Sequence, residues 1–139
     1  NPYLNFAGTC EEAFLFYQSV FGGEFTGGIF RMGDAPGTEN LSTEDKNKVM
    51  HIALPIGNDL LMGSDSIQGM GPGLVMGNNN LISIFPDSRE EADRLFNGLA
   101  AGGNIIMPLQ DQFWGDYYGN LIDKFGVAWM INYSRQMEP

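Results

Sequence analysis

Apolar residues recur at helical spacing in two stretches of the chain. In the first, Cys10, Ala13, Phe14, Tyr17, Val20 and Phe21 fall on one side of a helix; in the second, Ala92, Leu95, Phe96 and Leu99 do the same. Each stripe follows a helix-start signal. Thr9 and Ser88 are good N-cap residues, and Glu12 and Glu91 stand three positions on, the spacing of a capping box. Each stretch runs into a glycine pair, Gly22-Gly23 and Gly102-Gly103, which tolerates the left-handed turn that ends a helix. Burial of each large apolar side chain contributes roughly 1.5–3 kcal/mol, so both stripes should anchor their helices to a sheet.

Strand-like segments surround each helix. Tyr3–Phe6 and Leu81–Phe85 precede the helices. Phe25–Arg31, Val49–Pro55 and Leu60–Ser64 follow the first, and Ile105–Met107, Tyr117–Asp123 and Ala128–Tyr133 follow the second. A shift of 79 residues lays Phe6, Glu11, Glu12 and Ala13 onto Phe85, Glu90, Glu91 and Ala92. The chain therefore reads as an internal repeat, two β-α-β-β-β modules over about 1–65 and 81–135, within one α+β domain. Ser66–Asn80, rich in Gly and Asn, reads as a flexible linker. Met32–Lys48 is a long polar connection, expected to be mobile or a lid. A helix of this length covers one face of its sheet. The other face must be closed by the second module, a second chain or a ligand.

Composition narrows the function. With 139 residues and 43% hydrophobic content, the chain can bury a core. Its formal net charge of −10 disfavours nucleic acid and anionic lipid as partners. The charge serves solubility or draws in a cationic ligand. One cysteine excludes an internal disulfide and a cysteine metal cluster. Cys10 starts a helix, where a thiol can be activated, but its place on the apolar stripe makes it an inert core residue. No apolar run reaches about 18 residues and no signal-peptide pattern is present, so a cytoplasmic location is expected. Gly69-Met70-Gly71-Pro72-Gly73 does not join a strand to a helix start, so it is not a nucleotide or S-adenosylmethionine cradle, and no cofactor is expected.

The C-terminal third is distinctive: Pro108-Leu109-Gln110-Asp111-Gln112-Phe113-Trp114-Gly115-Asp116-Tyr117-Tyr118-Gly119, then Asp123-Lys124-Phe125-Gly126-Val127-Ala128-Trp129-Met130-Ile131-Asn132. With Pro2-Tyr3-Leu4-Asn5-Phe6, Phe16-Tyr17, Phe21-Gly22-Gly23 and Val49-Met50-His51, it resembles the PhnB-like branch of the vicinal-oxygen-chelate superfamily, which holds glyoxalase I, bleomycin-resistance proteins and extradiol dioxygenases. The resemblance spans nearly the whole chain. It implies tandem βαβββ modules forming a curved mixed sheet with helices on its outer face, a concave ligand pocket and a homodimer. Two positions depart from the branch: Tyr117 stands where arginine is usual and Lys124 where proline is usual, and if that arginine binds an anionic ligand in the branch, the expectation here is a less charged one. Some relatives carry a ubiquinone methyltransferase label, a chemistry that no motif here supports.

Metal-dependent relatives hold their ion with His, Gln and Glu on the first and last strands of each module. By resemblance those positions fall on Pro2, Met62 or Gly63, Leu81 and Met130; a slip of one residue brings in Tyr3 or Ser64. None supplies imidazole or carboxylate, and a single histidine cannot build a two-His triad, so no metal is expected.

Strand alternation nominates the remaining site residues. His51 falls opposite Met50, Ile52 and Leu54, facing the pocket, where it is either a general base or a structural histidine. Ser64, Ser83 and Asn132 face the same way, as orienting groups for a ligand or as satisfied polar residues. Gln110, Trp114, Asp116 and Tyr117 form an aromatic and polar rim, which suits a pocket mouth and a subunit interface alike. The reading that follows is a small-molecule binder acting as a homodimer. A glyoxalase-like lyase or isomerase, using a metal or His51, and an antibiotic-sequestering protein are the alternatives.

Overall fold

The computed structural model describes residues 1–137 of the chain. They fall into two compact units, Asn1–Val75 and the described residues from Met76 onward, each built around one four-stranded sheet. The first unit contains β1 (Tyr3–Phe6), α1 (Cys10–Phe21), β2 (Phe30–Arg31), α2 (Thr43–Asn47), β3 (Val49–Ile56) and β4 (Asp59–Asp65). The second contains β5 (Ile82–Ile84), α3 (Arg89–Ala100), β6 (Asn104–Asp111), β7 (Asp116–Ile122) and β8 (Ala128–Ser134). The sheet orders are β1-β4-β3-β2 and β5-β8-β7-β6, the same topology twice. In both, the outer strand before the helix pairs parallel with the last strand, and the other pairs are antiparallel. Among the described residues the strands thus pair as two four-stranded mixed ladders.

Each helix lays its apolar stripe on one face of its own sheet. In the first unit Ala13, Phe14, Tyr17 and Val20 are buried with Phe6, Ile52, Leu54 and Leu61. The ring of Phe14 stands edge-on to Phe6, their centroids 6.3 Å apart, and directly over Gly63. A Cβ at Gly63 would come within 2.6 Å of the Phe14 ring, so this strand position has room only for glycine. In the second unit Ala92, Leu95, Phe96 and Leu99 are buried with Leu121, Trp129, Ile131 and Tyr133.

Three expectations change on contact with the structure. Thr9 makes no capping bond. The start of α1 is held by the buried carboxylate of Asp65, whose Oδ1 accepts from the amides of Gly8 at 3.0 Å and Cys10 at 2.9 Å. Its Oδ2 accepts from Val49 N at 2.9 Å, so one side chain from the end of β4 ties the helix to β3. A carboxylate at a helix N-terminus also meets the positive end of the helix dipole. At α3 the expected cap is present, Ser88 Oγ accepting from Glu91 N at 3.1 Å.

The strand expected over Phe25–Arg31 shortens to Phe30–Arg31. Gly27 and Gly28 both adopt positive φ, 75° and 74°, a turn that no ladder accommodates. The polar Met32–Lys48 segment is built rather than loose. It contains a 3-10 turn over Met32–Asp34 and the short α2, capped by Ser42. Arg31 secures it, donating to both carboxylate oxygens of Glu11 at 2.9 and 3.1 Å and to Asn47 O at 2.8 Å. That ion pair holds the Glu11 carboxyl below its ordinary value, the Arg31 hydrogen bond being the leading cause.

Candidate functional site

Since each helix covers one face of its sheet, each unit keeps one helix-free face. Partners across an antiparallel ladder share a face, and so do register partners in the parallel pairs. In the first unit the register sets Tyr3 beside Met62, Asn5 beside Ser64 and Phe30 beside His51, opposite the side on which Gly63 meets Phe14. His51 and Ser64 therefore stand on the open face. The ring of His51 stacks on Tyr3, centroids 5.9 Å apart at 27°, and the Tyr3 hydroxyl lies a long 3.4 Å from Nδ1. Ser64 Oγ donates to Asn5 Oδ1 at 3.2 Å. Phe30, 54% exposed, adds a second aromatic ring to this face.

In the second unit Ser83 pairs with Met130, Asn120 with Met130, Tyr118 with Asn132 and Gln110 with Tyr118. Asp116, two residues from Tyr118 along β7, shares that side. Opposite them, Trp129, Ile131 and Leu121 pack under α3. Ser83, Gln110, Asp116 and Asn132 are thus brought together on one helix-free face. Trp114 joins them from the β6–β7 turn, its ring edge-on to Tyr118 with centroids 5.9 Å apart. Asn132 donates to Asp116 Oδ2 at 3.2 Å, and Asn120 donates to the Tyr118 hydroxyl at 3.0 Å. Tyr118 and Asn120 belong to this face as well, beyond the residues that strand alternation nominates. The signal was present, since both lie an even number of residues from Asp116.

Tyr117 does not join the rim. It is the register partner of Tyr133 and Asp111, on the face turned to α3. There its hydroxyl donates to Asp93 Oδ1 at 2.5 Å and the Arg89 guanidinium sits 4.3 Å above its ring. The hydrogen bond to Asp93 pushes the Tyr117 hydroxyl above its ordinary pKa; burial and the charge of Asp93 act the same way, against Arg89. Physically, an odd step along β7 from Asp116 exchanges one face for the other. The turn carrying Trp114 is braced from this side. Arg135 donates to Gly115 O at 3.0 Å and Gln112 O at 3.3 Å, and both Arg135 and Arg89 reach Asp111, at 3.6 and 3.1 Å.

Two clefts of about 350 Å³ each flank the start of α1. One is lined by Ile67, Gln68, Gly69, Gly71 and Pro72 among others, the other by Thr9, Glu11, Glu44, Lys48 and Asp65 among others. None of the nominated site residues lines either. The Gly69–Gly73 segment follows β4 and opens no helix, so it lacks the geometry of a phosphate cradle. Cys10 is fully buried, and that burial pushes its thiol far up, away from reactivity.

The positions that resemblance assigns to a metal do not fit one. Met62 and Met130 are register partners of the open-face residues Tyr3 and Ser83, and offer thioethers. Pro2 contributes its carbonyl to Met62 N at 3.0 Å, and Leu81 carries no donor in its side chain. Hard divalent ions need imidazole or carboxylate there. Among the described residues no three His, Cys, Asp or Glu side chains converge, and no metal-assisted step follows from this set.

Comparison with known proteins agrees with the doubled topology. A family model described as the Glyoxalase/Bleomycin resistance protein/Dioxygenase superfamily matches residues 1–131. Protein YjdN of Escherichia coli K12 is 35% identical over 141 residues, covering 98% of this chain and 95% of its own length. The crystal structure of protein PA1353 from Pseudomonas aeruginosa is 41% identical with a TM-score of 0.81, over 96% of this chain and 95% of that one. A Bacillus cereus protein described as a putative 3-demethylubiquinone-9 3-methyltransferase, PhnB protein, is 27% identical with a TM-score of 0.77, over 96% of this chain and 98% of its own. Among the described residues no helix is long and apolar enough to cross a membrane.

Proposed function

The chain belongs to the Glyoxalase/Bleomycin resistance protein/Dioxygenase superfamily, and from that premise we propose that it binds a small organic molecule on a helix-free sheet face, without a metal. One observation carries this reading. Trp114 and Tyr118 form an aromatic wall beside Ser83, Gln110, Asp116 and Asn132, on a face that its own helix leaves open. A large apolar contact area with a few convergent polar groups is what a ligand site needs. The Tyr3–His51 stack with Asn5 and Ser64 gives the first unit's open face the same character. Such faces also favour association with a second copy, and a homodimer is the expected assembly, to be read from light scattering on the purified protein.

The test is native mass spectrometry of the purified protein for a co-purified molecule, followed by calorimetry with that molecule on Trp114→Ala and His51→Ala. Trp114→Ala should keep the melting temperature and weaken binding by at least about tenfold, as aromatic anchors do. Unchanged affinity would remove the second unit's face from the reading.

A second reading, proton transfer by His51, draws on the Tyr3 hydroxyl facing Nδ1, which leaves Nε2 for a substrate. It requires a turnover that His51→Gln abolishes while the melting temperature holds.

A further inference from the structure

The open face of the second unit combines one carboxylate, Asp116, with two aromatic rings, Trp114 and Tyr118. Asp116 is half-buried, and among the described residues its side-chain partner is the neutral amide of Asn132, with no cation set against it. Arg135 and Arg89, which both reach Asp111 across the turn, are engaged elsewhere. Arg135 donates to the carbonyls of Gln112 and Gly115 and reaches Asp111, and Arg89 lies over Tyr117 on the opposite face. Tyr118 is two residues along β7 from Asp116, about 7 Å away along a strand, and Trp114 stands edge-on to Tyr118. The Tyr118 hydroxyl accepts from Asn120, so its own proton is available to a ligand.

We infer that this face takes a planar aromatic ligand bearing a positive charge or an N–H donor, with the charged group at Asp116 and the ring against Trp114 and Tyr118. This rests on the ligand-binding reading above and specifies its chemistry. Ring faces attract cations through their quadrupole, which adds to the carboxylate. A partly desolvated carboxylate rejects an anion of the same shape, since like charges would be buried together. The chain's net charge of −10 raises the local concentration of cations over the whole surface.

The experiment is calorimetry at low salt with two probes of matched size, N-methylquinolinium and naphthoate, on the full chain. The cation should bind at least about tenfold tighter than the anion, and raising sodium chloride from about 50 to about 500 mM should weaken it. Asp116→Asn, which preserves shape, should cost the cation about tenfold, the effect of losing one charge-assisted contact. Equal affinities for the two probes, no binding of the cation, or an unchanged cation affinity in Asp116→Asn would each overturn the assignment. The wild-type preference between the probes stands as evidence even if Asp116→Asn folds poorly. Probe binding lost in Trp114→Ala but indifferent to Asp116→Asn would refute the charge selection and leave the ligand face intact. Binding indifferent to both variants would refute the two together.

Discussion

Asp65→Ala should be among the most destabilising single changes in the first unit. The carboxylate is only 5% exposed and accepts three main-chain hydrogen bonds, from Gly8, Cys10 and Val49, at 2.9–3.0 Å. Hydrogen bonds to a charged group contribute about 1.5–3 kcal/mol each, and a carboxylate at a helix N-terminus adds about 0.3–1 kcal/mol. The full sum is not lost, because the neighbouring cleft lined by Gly8, Thr9 and Asp65 lets water reach the freed amides. A net cost of about 3–5 kcal/mol follows, in line with removal of one partner from a buried charged network. Thr9→Ala, in contrast, removes a side chain that makes no capping bond and should cost less than about 0.5 kcal/mol. Ser88→Ala at the other helix should cost about 1 kcal/mol, because Ser88 does cap. Urea unfolding followed by far-ultraviolet circular dichroism orders the three variants. If Thr9→Ala costs more than Asp65→Ala, the assignment of the cap to Asp65 is wrong, and the sequence motif rather than the tertiary contact holds the helix.

Two further changes test the second unit. Tyr117→Phe should cost about 1 kcal/mol by deleting the hydrogen bond to Asp93. Because the folded Tyr117 hydroxyl titrates above its unfolded value of 10.0, that contribution is complete below pH 10 and disappears as pH rises through the raised value. The stability gap between wild type and Tyr117→Phe should therefore be constant through neutral pH and close in strong alkali; a gap that widens with alkali contradicts the geometry. Gly119→Ala places a Cβ 2.8 Å from both Leu109 backbone atoms N and Cα and from the Phe96 ring. Backbone cannot yield as a side chain tip does, so a loss of about 1–3 kcal/mol is expected in the same urea assay, and a neutral result would mean that β6 moves freely.

Much of this protein is written locally. The two amphipathic stripes, the Ser88 cap, the glycine stops and the alternation in β3, β4, β7 and β8 depend on nearest neighbours along the chain, so periodicity alone located them. Alternation also assigned His51, Ser64, Ser83 and Asn132 to faces, because side chains in a strand switch sides at every step. The family resemblance was carried by the Trp-Gly-Asp to Trp-Met-Ile-Asn stretch, where turn and strand residues come in one order. What sequence could not decide were pairings between distant segments. Asp65 reaches the start of α1 across more than fifty residues, and it takes the cap from Thr9 because its buried carboxylate can accept from three amides at once. Tyr117 faces α3 rather than the rim, since the register of β7 against β8, and not its proximity to Trp114, sets the direction of its ring. Local patterns are fixed by short-range sterics and periodicity; a register or a long-range hydrogen bond exists only once the whole sheet has closed, and there the tertiary structure decided.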